Sequence, residues 1–101
     1  MTPASTASSI ESTVRLALAE TLLVKPETLE PSTRIVLDLG AESIDLLDLR
    51  FRLEKALGIK ISKDELLGSL GAGLTLLEFQ ERFTVDALCR FLASRIESAR
   101  A

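Results

Sequence analysis

With 101 residues, 47% hydrophobic and 27% charged, the chain has the make-up of one small globular domain and not of a disordered segment. It contains no histidine, so neither a Ser-His-Asp nor a Cys-His catalytic set can be assembled, and the commonest metal ligand is missing. A net charge of −3, with no run of Lys or Arg, argues against nucleic acid as a partner.

Cys89 is the only cysteine, which rules out an intrachain disulfide. The opening residues have neither a basic region nor an apolar stretch, unlike a signal peptide. The longest uncharged run, 66–77, is far short of the ~20 residues of a membrane span. A cytoplasmic, non-enzymatic protein is expected. Tyr and Trp are absent and Leu, Ala, Glu, Lys and Arg dominate, which favours helices over strands.

Residues 1–7 are rich in Thr, Ser, Ala and Pro and are expected to fray as a disordered N-terminus. Ser8-Ser9-Ile10-Glu11 reads as a capping box that opens a first helix. Ile10, Val14, Ala17, Leu18, Thr21 and Leu22 then recur at helical spacing to about Leu23. Residues 24–37 form a long connection interrupted by Pro26 and Pro31, with Leu29, Ile35 and Leu37 as expected apolar anchors.

A second helix is predicted from near Ser43 to Gly58, a residue suited to ending helices. At roughly 100° per residue its side chains sort into sectors. Leu46, Leu49, Leu53, Ala56 and Leu57 make one apolar stripe, and Asp45, Asp48, Arg52 and Lys55 a charged face. Ile44, Leu47 and Phe51 make a second apolar stripe beside Ser43. A small bundle needs only one, so the second is either covered by the segment 66–79 or offered to a partner.

Ser62-Lys63-Asp64-Glu65 is another capping box, opening a short helix through Leu70 in a region weakened by Gly68, Gly71 and Gly73. Thr75-Leu76-Leu77-Glu78 has the same form. The last helix is expected after Thr84, with Val85, Leu88, Cys89, Leu92 and Ile96 as its apolar stripe and Cys89 a core residue, not a reactive one. The expected fold is all-α: four main helices, a long loop between the first two, and short extra turns before the last.

Taken alone, Ser43 reads as an ordinary helix N-cap. Its surroundings change that. The run Asp38-Leu39-Gly40-Ala41-Glu42-Ser43-Ile44-Asp45-Leu46-Leu47-Asp48-Leu49 resembles the prosthetic-group attachment site of acyl carrier proteins. That family usually has Asp-Ser-Leu where this chain has Glu42-Ser43-Ile44. The resemblance extends over residues 9–61 and resumes at Phe83-Thr84-Val85-Asp86-Ala87-Leu88.

The resemblance implies an acyl-carrier-like four-helix bundle, here residues 8–98 as a single carrier domain. It also implies a covalent 4′-phosphopantetheine on Ser43, attached by a phosphopantetheinyl transferase. The thiol of that group would hold acyl intermediates as thioesters and present them to acyl-transferring, synthase or ligase enzymes of fatty acid, lipid or polyketide biosynthesis. By the same resemblance, Asp38, Glu42, Asp45 and Asp48 are acidic docking residues and Ile44, Leu47 and Phe51 apolar ones. Leu46, Leu49, Ile59, Ile61 and Val85 are expected to line an acyl pocket. A monomer without metal is expected.

The chain departs from the family's pattern at Glu42, at the cations Arg50, Arg52, Lys55 and Lys60, and at residues 62–82, an extended insert. The insert either enlarges or lids the acyl pocket, binds a specific partner, or is neutral in effect. An aminoacyl or peptidyl carrier and an unmodified interaction module of the same fold are the competing readings.

Overall fold

A computed structural model describes residues 4–71 and 73–100. Helix α1 (Ala4–Leu22) is followed by a 3-10 turn (Pro26–Thr28), α2 (Ser43–Leu57), α3 (Lys63–Leu70), α4 (Leu76–Arg82) and α5 (Val85–Arg100). The expected all-α bundle is what the chain forms, with the extra turns resolved into two short helices, α3 and α4.

Helix α1 begins at Ala4, earlier than the capping-box reading placed it, so residues 4–7 are helical and Ser8 lies inside the helix. Residues 1–3 of the expected disordered N-terminus lie outside the described residues. Alanine is the best helix former, and nothing in 4–7 breaks a helix. Glu11 pairs instead with Arg15, one turn on, at 3.0 Å. Ile10, Val14, Ala17 and Leu18 are buried, and this face packs α1 against α2 and α5.

Helix α1 ends at Leu23, which takes φ 57°, while the Val24 N–H donates to the Ala19 carbonyl at 3.2 Å. This is a Schellman-type ending whose left-handed position strongly favours glycine. Leu23 is 90% exposed, so little packing offsets its strain. Leu23→Gly is therefore expected to stabilise the protein by about 0.5–1 kcal/mol, the relief of left-handed strain less the extra freedom of an unfolded glycine. Urea unfolding checks this, and a destabilised variant would show that the leucine packs usefully after all.

The connection from α1 to α2 is tied to the α4–α5 junction. The Ile35 N–H donates to the Phe83 carbonyl at 2.9 Å, the Val85 N–H to Thr33 at 3.0 Å and the Asp86 N–H to Pro31 at 3.0 Å. Arg34 and Thr84 form an isolated antiparallel bridge. Leu29 and Ile35 are buried as expected, but Leu37 is 40% exposed and is not an anchor. The cause is helical-turn bonding: the Asp38 N–H reaches the Arg34 carbonyl and the Gly40 N–H that of Val36, both at 2.9 Å. That spacing turns Val36 and Leu39 inward and Leu37 outward.

Caps set the remaining helix starts. Ser62 Oγ accepts the Glu65 N–H at 3.0 Å, and Thr75 and Glu78 bond reciprocally at 3.1 and 3.0 Å. Thr84 Oγ1 accepts the Ala87 N–H at 3.1 Å and opens α5. Arg95 holds α5 to the chain between α2 and α3, donating to the Lys60 carbonyl at 2.8 Å and pairing with Glu65 at 3.1 Å. Val85, Leu88 and Leu92 are buried, as is Phe91, which the expected stripe omitted. Cys89 is half-buried among core residues, and burial pushes its thiol up to about 11. It is therefore protonated at neutral pH and packs as a small hydrophobe.

Candidate functional site

The start of α2 is built by its own acidic residues. Glu42, in extended conformation, is the N-cap, and Asp45 accepts the Glu42 N–H at 2.9 Å. Ser43 is thus the first residue of the helix, and Glu42, not Ser43, is its cap. The Ser43 side chain is exposed, and capping does not use its hydroxyl. Just before it, Gly40 has φ +72° with nothing within 4 Å of where a Cβ would sit. Glycine is needed there for the turn that delivers the chain to the helix, not to avoid a clash.

The free N–H groups of the first turn and the positive end of the helix dipole face the same end as Ser43. An anion esterified to that hydroxyl is favoured by roughly 0.3–1 kcal/mol. The chain has no histidine to act as a base toward that hydroxyl.

The second stripe is uncovered. Ile44 is 71%, Leu47 46% and Phe51 53% exposed. The described residues of the segment 66–79 leave it exposed. On the core side, Leu49 and Leu53 are buried and Leu46 and Leu57 half-buried, while Ala56 is exposed.

The acidic residues differ in how free they are. Asp38 receives the Arg34 backbone N–H at 2.7 Å and pairs with the Arg34 guanidinium at 2.9 Å. The hydrogen bond from that guanidinium holds the Asp38 carboxyl below its ordinary value. Asp48 is bound by Arg52 at 2.8 Å, and Arg52 also lies 3.7 Å from Glu20. Asp45 is engaged with the backbone of Glu42. One departure noted in the sequence, Arg52, thus neutralises part of the acidic face.

Beside α2 lies a cavity of about 860 Å³. Of the residues expected to line it, Leu46, Leu49 and Ile61 do so. Ile59 and Val85 do not: Val85 is buried in the core and Ile59 packs against it. The opposite wall comes from the insert, through Leu66, Leu67, Leu74, Leu76 and Phe79. Leu70 and Leu77 of the insert are not on it, and Leu77 is exposed. The floor is Leu53, Phe83 and Leu88, and Ser43 itself is among the lining residues. Sequence reasoning missed Arg50 and Lys63, two cations on an otherwise leucine-rich wall. Among the described residues, no helix is long and apolar enough to cross a membrane.

The phosphopantetheine attachment site family matches residues 12–72. Acyl carrier protein AcpXL of Rhizobium meliloti (strain 1021) is 33% identical over 84 residues, covering 83% of this chain and 82% of that protein. The AcpXL of Brucella melitensis biotype 1 is 35% identical over 72 residues, 71% of this chain and 75% of its own length. An acyl carrier protein of Nitratidesulfovibrio vulgaris (strain DP4) is 35% identical over 57 residues, 56% of this chain and 75% of that protein.

Proposed function

Since the chain belongs to the acyl carrier proteins of the phosphopantetheine attachment family, we propose that Ser43 is the residue to which its 4′-phosphopantetheine is joined. Members of the family are carriers and not enzymes. The observation that carries the assignment to Ser43 is an exposed serine at the first position of a helix, on the lining of a large apolar cavity. When bound, the group supplies a thiol that holds acyl chains as thioesters.

The chain's own residues do the rest. The first turn of α2 holds the phosphodiester against free N–H groups. Leu46, Leu49, Leu53 and the α3–α4 wall shelter hydrocarbon from water. Residues 62–82 thus enlarge the pocket within a single carrier domain, 8–98.

Ile44, Leu47 and Phe51 form the apolar part of a docking face, with Glu42, Asp45 and Asp48 as its acidic rim. Asp38 contributes by holding the preceding turn. Exposed ion pairs are worth only ~0.2–1 kcal/mol each, so the rim acts mainly on encounter rate and partner choice. The partners are a phosphopantetheinyl transferase and acyl-transferring, synthase or ligase enzymes of fatty acid, lipid or polyketide biosynthesis. The chain acts in the cytoplasm as a monomer. Acyl cargo is favoured over aminoacyl or peptidyl cargo because the relatives are named as acyl carriers.

Incubation with coenzyme A and a phosphopantetheinyl transferase tests the assignment. The intact mass of the wild type is expected to rise by one phosphopantetheine, and that of Ser43→Ala to stay unchanged. A wild type left unmodified by several transferases would favour the interaction-module reading instead.

A further inference from the structure

The charges along α2 are sorted by position. Residues 42–48 hold three acids, Glu42, Asp45 and Asp48, and no base. Residues 49–57 hold three bases, Arg50, Arg52 and Lys55, and one acid, Glu54. Pairing within the chain sharpens the division. Arg52 binds Asp48 at 2.8 Å, which leaves Glu42 and Asp45, beside Ser43, as the acidic end. Glu54 is half-buried and accepts the Ile61 N–H at 2.7 Å.

The other two cations of the second half are free of such pairing. Among the described residues, neither Arg50 nor Lys55 forms an ion pair. The Arg50 guanidinium carbon lies 5.3 Å from the centroid of the Phe51 ring, so a positive charge sits against the exposed apolar stripe itself. Lys55 is exposed and follows Phe51 by four residues, on the same side of the helix. The helix dipole favours acids first and bases last, which accounts for Lys55 in the final turn. It does not account for Arg50, in mid-helix, against an aromatic ring of the docking stripe.

A basic patch on a partner is attracted by Glu42 and Asp45 but repelled further along by Arg50 and Lys55. We propose that this face docks an acyl-transferring enzyme whose own docking patch is of mixed sign. That patch is basic where it meets the Ser43 end of α2. It is acidic roughly 15 Å further along the helix, opposite Lys55. Its apolar centre covers Ile44, Leu47 and Phe51. The same cations reject enzymes whose patch is basic throughout, so the sign pattern selects the partner. The inference rests on α2 presenting the docking face, as proposed above, and not on modification of Ser43.

Calorimetry on Ser43→Ala protein tests it, because neither arm nor cargo then contributes to binding. The probe is the purified acyl-transferring enzyme of the same cell that binds this protein most tightly. Lys55→Glu, in the same background, is expected to weaken binding about tenfold, since it turns an attraction into a repulsion. Lys55→Met should weaken it about threefold, and Lys55→Arg should keep the affinity within about twofold. Arg50→Gln, which removes the charge beside Phe51, should also weaken binding. Added salt should narrow these differences, which a loss of structure does not do.

Ile44→Asp separates this inference from the docking reading on which it rests. Weaker binding by Ile44→Asp, with binding by Lys55→Glu unchanged or tighter, leaves α2 as the docking face for a basic partner and overturns the inference alone. Unchanged binding by both variants places the docking face elsewhere, and both readings fall. An equal loss in Lys55→Glu and Lys55→Arg marks a packing role and overturns the inference, as does a cell with no acyl-transferring enzyme that binds the chain.

Discussion

Saturated acyl chains of increasing length, loaded onto the arm at Ser43, should raise the free energy of unfolding by about 0.8 kcal/mol for each methylene that enters the cavity. The gain accumulates to several kcal/mol and then levels off once the space of about 860 Å³ is filled. A group sheltered in the native state and released on unfolding stabilises by mass action, here with the guest on the chain itself. Leu74→Asp places a carboxylate on the insert's side of the wall and should flatten the dependence on length, because hydrocarbon packed there would strip water from a charge. Leu77→Asp is the control: Leu77 is exposed and off the wall, so the slope should persist. Urea unfolding of each loaded species measures the effect. Stability independent of chain length in the wild type would mean that the acyl chain stays outside, and the sheltering role of residues 62–82 would fail with it.

The features legible in the sequence are those set by neighbours in the chain. The caps at Ser62 and Thr75, the end of α2 at Gly58 and the start of α5 after Thr84 each depend on groups within about one helical turn. The exposed stripe of Ile44, Leu47 and Phe51 was visible as an apolar surplus for the same reason. The sequence could not say whether it was covered, because that depends on where residues 66–79 run.

The cavity is the opposite case. Its walls meet across distant segments: Leu46, Leu74 and Phe79 line one space. Val85 was expected there from the resemblance to acyl carrier proteins. The backbone bond from its N–H to Thr33 and its place in the core account for it instead. Arg50 stood out only as a departure from the family's pattern, since nothing in a helical wheel distinguishes a charge at a cavity wall from one in water. The Ser8 box failed through competition, as residues 4–7 extend the helix as readily as Ser8 begins it.

Phe83→Ala is expected to destabilise the protein by about 3–5 kcal/mol, a large share of the roughly 5–15 kcal/mol available to a chain of this size. The Phe83 ring is 2% exposed and stacks on Phe79, centroids 5.3 Å apart, so truncation leaves a void next to the cavity that already exists. Its carbonyl accepts the Ile35 N–H, which ties the loop leading to Ser43 onto the α4–α5 junction. Loss of the ring should therefore show first as faster hydrogen exchange at Ile35, before global unfolding. Phe83→Leu keeps most of the volume and should cost much less. Leu77→Ala, at an exposed site, should stay within about 0.5 kcal/mol. The cavity makes the outcome informative. If the neighbouring space let Phe79 and Leu88 relax into the void, the loss would fall to ~1 kcal/mol, and the cavity would then be a soft region of the core and not a pocket held open by its walls. A full-sized loss, with Ile35 exchange accelerated, is the result expected of a rigid floor beneath a site that must stay open for cargo.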